Sequence, residues 1–142
     1  MNLSLEVARQ VVRRVHLEAG ALHLRPLTVV VLDAGGHVIV AERADNSPFG
    51  LFEIARAKAY GALALGMSSR SIMDRAEAQP YFVASATAAL GGRLMPVPGG
   101  VLIHDGEKNP VGALGVSGDL SDNDELVGVK AVNAMGLTAH GH

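Results

Sequence analysis

Leu27-Thr28-Val29-Val30-Val31-Leu32-Asp33, then Ala34-Gly35-Gly36, then His37-Val38-Ile39-Val40-Ala41-Glu42-Arg43, is the stretch that decides the fold. The first seven residues are a β-branched apolar run of strand length, and such side chains pack best on a pleated surface. The glycine pair accepts the backbone angles of a tight turn, and the last seven residues resume as a second strand. Two strands joined this closely predict an antiparallel hairpin.

Upstream of it, Ser4 is a candidate N-cap and Glu6 suits the first turn of a helix. Ala8, Val11, Val12, Val15, Ala19 and Leu22 repeat at helical spacing, with Arg9, Gln10, Arg13 and Arg14 on the other face, which predicts a helix over 4–20 ended by Pro26. Downstream, Asn46-Ser47-Pro48 reads as a helix start, with Ser47 as N-cap and Pro48 at the first helical position. The Ala- and Leu-rich segment 48–65 ends at Gly66. Ser68 or Ser69 caps a shorter helix over 69–78, stopped by Pro80. Residues 82–90 are Ala-rich and suit a short helix, whereas Gly91, Gly92, Pro96 and Pro98 mark a loop. Strands over 101–104 and 111–116, joined by an Asp105-Gly106-Glu107-Lys108-Asn109 turn, form a second hairpin. Ser121 with Asp124 resembles a capping box for a last helix over 122–136.

The order α-β-β-α-α-β-β-α lacks the βαβ alternation of a parallel sheet, so an α+β antiparallel sheet flanked by helices is expected. The 142 residues are close to the commonest single-domain size, so 1–142 reads as one domain. Hydrophobic residues make up 49%, enough for its core, while charged residues make up only 18%. Mean hydropathy is +0.26. A small chain this poor in charge is expected to cover part of its surface by forming a homo-oligomer.

Net charge is -2 and aromatic residues are 4% with no Trp, which argues against nucleic acid and anionic membranes as partners. The absence of Cys excludes disulfides, thiolate nucleophiles and cysteine-ligated zinc or iron–sulfur sites. With no leader pattern at Met1-Asn2-Leu3-Ser4 and no apolar run of membrane length, a cytoplasmic protein is expected.

Four ordered motifs carry a family resemblance. They are the Val30-to-Asp45 strand-turn-strand, Ile54-Ala55-Arg56-Ala57-Lys58-Ala59, Pro98-Gly99-Gly100, and Gly112-Ala113-Leu114-Gly115-Val116-Ser117-Gly118 followed by Asp122-Asn123-Asp124-Glu125. Together they resemble the GlcG/HbpS family across residues 4–137. That resemblance implies a profilin-like or PAS-like domain, dimers that build larger closed oligomers, and haem-binding relatives. The same domain type occurs fused to PduO-type corrinoid adenosyltransferases. Some haem-binding relatives use a histidine late in the first helix as an axial ligand, which implies that role for His16; an ordinary histidine at the border of an apolar stripe fits the position equally. Phe49, Phe52, Tyr60, Tyr81 and Phe82 are the aromatics available to sandwich a porphyrin.

The residues themselves suggest a second site. Lys58 lies among small apolar neighbours, where an ammonium is partly desolvated and can bind a carboxylate, pair with Asp33 or Asp45, or do acid–base work. A snorkelling or ion-paired lysine satisfies the same pattern. Arg43 suits bidentate capture of a carboxylate or a haem propionate, or a salt bridge to Asp45 or Glu53. Gly99, Gly100, Ser117 and Gly118 offer bare backbone N–H groups as an anion cradle, or simply turn geometry. Asp122, Asp124 and Glu125 read as helix-capping acids. Of the other histidines, His23 falls in a loop, His37 and His104 at strand ends, and His140 and His142 in a tail open to adventitious metal.

Three functions follow as expectations. The first is haem binding or handling. The second is a cofactor-independent isomerase or tautomerase for a small carboxylate or oxo-acid, with Asp33, Arg43, Lys58 and the Gly99-Gly100 backbone forming the pocket. The third is a non-catalytic oligomeric accessory module.

Overall fold

A computed structural model describes residues 2–141. Along the chain run α1 (Leu5–Ala21), β1 (Thr28–Asp33), β2 (Val38–Arg43), α2 (Leu51–Leu65) and α3 (Ser69–Ala78). They are followed by α4 (Pro80–Ala89), β3 (Gly100–His104), β4 (Pro110–Ser117), α5 (Ser121–Ala134) and β5 (Thr138–His140). The strands form one antiparallel sheet in the order β2-β1-β4-β3-β5, with β2 and β5 at its edges. The fold is therefore α+β, as the two hairpins predict. Among the described residues no helix is long and apolar enough to cross a membrane.

The valine run of β1 supplies both faces of the sheet. Val29 and Val31 point to one face, together with Val101, Ile103, Leu114 and Val116, beneath α1 and α5. Val30 and Leu32 point to the other, together with Leu102 and Ala113, beneath Ala55, Ala59 and Ala62 of α2. This double burial explains why β1 reads as a continuous apolar run rather than an alternating one. A third, smaller cluster of Ile72, Val83 and Leu94 joins α3 to α4.

α1 starts at Ser4, whose Oγ accepts from Val7 N at 3.1 Å, and it buries Ala8, Val11, Val12, Val15 and Ala19. The turn after β1 is held by Asp33, whose Oδ1 accepts from the amides of Gly35 and His37, each at 2.9 Å. α2 lies almost on bare backbone: a Cβ at Gly115 of β4 would run into the Ala55 carbonyl, and one at Gly100 of β3 into the Lys58 carbonyl.

Four readings of the sequence need correction. Pro80 does stop α3, but it also occupies the first turn of α4, where its missing N–H leaves no bond unmade. Ser47 does not cap α2, which begins at Leu51 after Gly50 and lacks a side-chain cap. Ser47 is instead buried, with its Oγ 2.9 Å from Thr28 Oγ1, and the two hydroxyls share one hydrogen bond. The Ser121–Asp124 capping box does not form: Leu120 occupies the cap position with no side-chain bond, and Asp124 turns into the core. His140 is part of β5, opposite Leu102, rather than of a tail. His142 lies outside the described residues.

Candidate functional site

A groove of about 560 Å³ lies between α1 and the edge strand β2. Its α1 wall consists of Arg9, Val12, Arg13 and His16. This i, i+3, i+4, i+7 spacing places all four on one helical face. Val40 and Glu42 of β2 form the opposite wall, with Ala44 just beyond the strand. His16 is 25% exposed, and its Nε2 lies 3.0 Å from Glu42 Oε1. That nitrogen is nevertheless closed off from solvent and makes no hydrogen bond among the described residues. The carboxylate is close enough to form an ion pair when the ring is protonated. Two exposed guanidinium groups, Arg9 and Arg13, face one carboxylate across this groove, so its mouth favours an anion. Neutral imidazole Nε2 is a common metal-ligating atom. No group of three or more His, Asp or Glu suited to a metal ion occurs among the described residues.

Lys58 occupies a different setting. It is 2% exposed, and its Nζ donates to the Val116 carbonyl at 2.8 Å and to Asp124 Oδ2 at 3.3 Å. Asp124 is also buried, and its other oxygen accepts from Asp119 N at 3.0 Å. Burial pushes the Lys58 ammonium below and the Asp124 carboxyl above its ordinary value, each opposed by its partner's charge. Lys58 thus pairs with Asp124 rather than with Asp33 or Asp45. Next to this pair, Arg70 Nε reaches both Glu125 oxygens at 2.9 and 3.1 Å, and the same guanidinium contacts Asp122. The acids at the start of α5 are therefore ion-paired to α2 and α3 instead of capping their own helix. Asp119 Oδ1 accepts from Asn123 Nδ2 and Leu120 N, and Oδ2 from Arg25 N. The Asn123 side chain, followed by the Arg25 and Leu120 amides, holds the Asp119 carboxyl at about 2.

The glycine cradle is filled from within. Gly100 N donates to Ser69 Oγ at 2.6 Å, and Gly99 O accepts from Val116 N at 3.0 Å. The space over Gly99 is occupied by the Lys58 side chain and that over Gly118 by the Pro26 carbonyl and Leu27. Gly99 and Gly118 adopt φ of +125° and +143°, so backbone geometry and close approach account for both. Ser117 is buried opposite Thr28.

The carboxylate-pocket residues do not converge. Asp33 sits at the far end of β1 from Thr28, five residues away or about 16 Å at strand rise. There the His37 amide, helped by that of Gly35, holds its carboxyl below the usual value against an opposing effect of burial. Arg43 is exposed at the end of β2, opposite Thr28, and lines a separate shallow groove with Phe49 and Phe52. Strand alternation sends Arg43 to the α2 side while Glu42 faces His16, so Arg43 and His16 belong to opposite faces. None of the five aromatics anticipated for a porphyrin lines the His16 groove, whose apolar walls are Val12, Val40 and Ala44. In sequence, Arg9 and Arg13 lie simply on the face of the first helix opposite its apolar stripe. The i, i+4, i+7 register of Arg9, Arg13 and His16 is the available signal.

A family profile described as haem degrading protein HbpS-like matches residues 3–133. No curated protein matches the chain. Among solved structures, a PduOC:heme complex is 25% identical, with 99% of each chain covered and a TM-score of 0.87. HbpS is also 25% identical, with 94% of this chain and 89% of that one covered and a TM-score of 0.79. The Klebsiella pneumoniae protein ORFY shares the fold at 23% identity, with 94% and 90% covered and a TM-score of 0.84.

Proposed function

The chain belongs to the HbpS-like haem degrading protein family, and from that premise we propose that it binds haem in the groove between α1 and β2. The observation that carries this reading is the solvent-shielded Nε2 of His16, which lines the α1–β2 groove and, among the described residues, makes no hydrogen bond, with the Glu42 carboxylate 3.0 Å away. A shielded ring nitrogen whose hydrogen-bonding capacity is unused is free to ligate a metal, so His16 would hold the haem iron through Nε2. The groove also has the size of a ligand site, since such sites run from about 300 to 1,000 Å³.

The residues suit the group in three respects. Val12, Val40 and Ala44 give a macrocycle apolar contact. Arg9 and Arg13 line the groove and would hold the propionates, because planar guanidinium groups bind carboxylates bidentately. Glu42, with 57% of its side chain exposed, has room to turn away from His16 and release Nε2. Haem iron, when bound, supplies a coordination position and one-electron redox chemistry. The groove is open along its length, and Leu17 and Val38 stand exposed at 61% and 43% on the elements that form it. Cover from a second copy of the chain, in a homo-oligomer, would shield the bound group and these side chains together.

Hemin titration followed by absorbance tests the proposal. The wild type is expected to shift and sharpen the Soret band relative to free hemin, and His16→Ala to lose that shift while keeping its far-UV circular dichroism. A wild-type spectrum identical to free hemin, or a His16→Ala spectrum identical to wild type, would refute the assignment.

A further inference from the structure

β5 is three residues long, lies at the edge of the sheet and pairs with β3 through Leu102–His140, Ile103–Ala139 and His104–Thr138. Its other support is α5: Ala139 N donates to Asn133 Oδ1 at 3.3 Å, and Gly141 lies against Val129 and Glu125. On the sheet face shared by His104 and His140, the two rings meet edge to face, with centroids 4.3 Å apart and an interplanar angle of 88°. His104 Nδ1 is closed off from solvent and has no hydrogen-bond partner among the described residues.

This arrangement suits a neutral ring and penalises a charged one. Protonated imidazole is a donor at both nitrogens, and each N–H needs an acceptor. With β5 docked, a proton on Nδ1 would meet no acceptor and would bring positive charge against a second imidazole. With β5 undocked, water can reach that nitrogen. We propose that the His104–His140 contact makes β5 a pH-sensitive strap, docked at neutral pH and released by mild acid, so that the outer edge of β3 becomes available for pairing.

The surrounding charges fit this direction. Burial and then His140 disfavour the charged His104 ring, and Asp105, next in the chain, partly opposes them; the net effect holds His104 below its ordinary 6.5. Among the elements packed on β3 and β5, β4 carries no ionisable side chain. α2 carries Glu53, Arg56, Lys58 and Tyr60, with Lys58 committed to Asp124. α3 carries Arg70, Asp74, Arg75 and Glu77, with Arg70 committed to Asp122 and Glu125. Lys130 is the remaining charge of α5. Because the docked state binds fewer protons than the undocked one, docking is unaffected well above pH 6.5 and weakens as pH falls below it. Each pH unit shifts the balance about tenfold toward release, until the docked form also takes up the proton.

Amide exchange by NMR on the whole chain, from about pH 7.5 to about pH 5.5, tests the strap across the histidine range. Protection factors in the β3–β5 ladder are expected to fall about tenfold per unit below the ordinary histidine value, while the β1–β4 ladder keeps its protection. His104→Phe keeps a ring in place without the proton, and its β3–β5 ladder should stay protected throughout. Constant protection in the wild type, or the same acid loss in His104→Phe, would overturn the proposal. Should His104→Phe fail to fold, the wild-type His104 ring titration decides. A midpoint below 6.5 supports the strap, and a midpoint at or above 6.5 overturns it.

Discussion

Replacing Lys58 with Met removes the ammonium from a site that is 2% exposed and leaves an apolar stem of similar length. Asp124, 1% exposed, then retains only the Asp119 amide among the partners described for it. Two routes are open to it at pH 7. It can stay charged, and a buried ion pair broken on one side costs about 3–5 kcal/mol. It can instead take up a proton, and moving from an ordinary value of 3.8 to pH 7 at about 1.36 kcal/mol per unit costs about 4.4 kcal/mol. Both routes lead to a loss of about 4 kcal/mol, or roughly 12–16 °C in Tm at about 3–4 °C per kcal/mol for a chain of this size. The proton route also fixes the pH dependence. Unpaired Asp124 titrates higher in the folded than in the unfolded chain, so the penalty is absent below 3.8 and grows as pH rises. Urea unfolding by circular dichroism should therefore show the deficit relative to wild type shrinking by up to about 2.7 kcal/mol between pH 7 and pH 5. Adding Asp124→Asn, which removes the charge but keeps an acceptor for the Asp119 amide, should recover more than half the loss. A deficit under about 1 kcal/mol at pH 7, the range of an exposed pair, would refute a sealed Lys58–Asp124 pair. A deficit of equal size at both pH values would refute the proton route.

Two other substitutions probe the packing of α2 and the proposed ligand groove. Gly115→Ala drives a Cβ into the Ala55 carbonyl, backbone against backbone, and should cost at least about 3 kcal/mol in urea unfolding or abolish folding, as severe overpacking does. Arg9→Ala with Arg13→Ala should weaken hemin binding several-fold by titration, with the difference from wild type narrowing at high salt, and leave the unfolding midpoint nearly unchanged because both side chains are exposed.

Legibility followed period and length. The valine run and the glycine turn announce the β1–β2 hairpin because β-branching and turn geometry are local properties, and the first helix declares itself by its apolar stripe and by Ser4. One element has no such local signal. β5 has three residues with largely exposed side chains and exists because the edge of β3 can accept a partner, which no local pattern encodes. α4 is anticipated by the Ala-rich run over 82–90, but its first turn reaches back to Pro80, which in sequence reads first as a stop. The site was harder to read. Lys58 stood out correctly as a desolvated lysine, but its carboxylate partner lies 66 residues away, and the Asp124 that fits a helix cap on paper is turned inward. Nearby acids such as Asp45 looked more plausible because sequence distance was the only distance available. His16 was visible, whereas its neighbours Arg9, Arg13 and Glu42 emerge only when α1 is laid against β2.

The clasp at the start of α5 also bears on how the protein folds and survives. Lys58 and Arg70 reach acids 66 and 55 residues further along the chain. Contacts spanning such loops are entropically expensive to close early, and charge pairs gain full strength only after water has left. They should therefore be weak in the transition state and complete only afterwards. Interactions that form after the barrier do little for the speed of folding and mainly slow escape from the native basin. The two cations would then act as a latch on residence time: their loss would shorten the lifetime of the folded chain more than it would delay its formation.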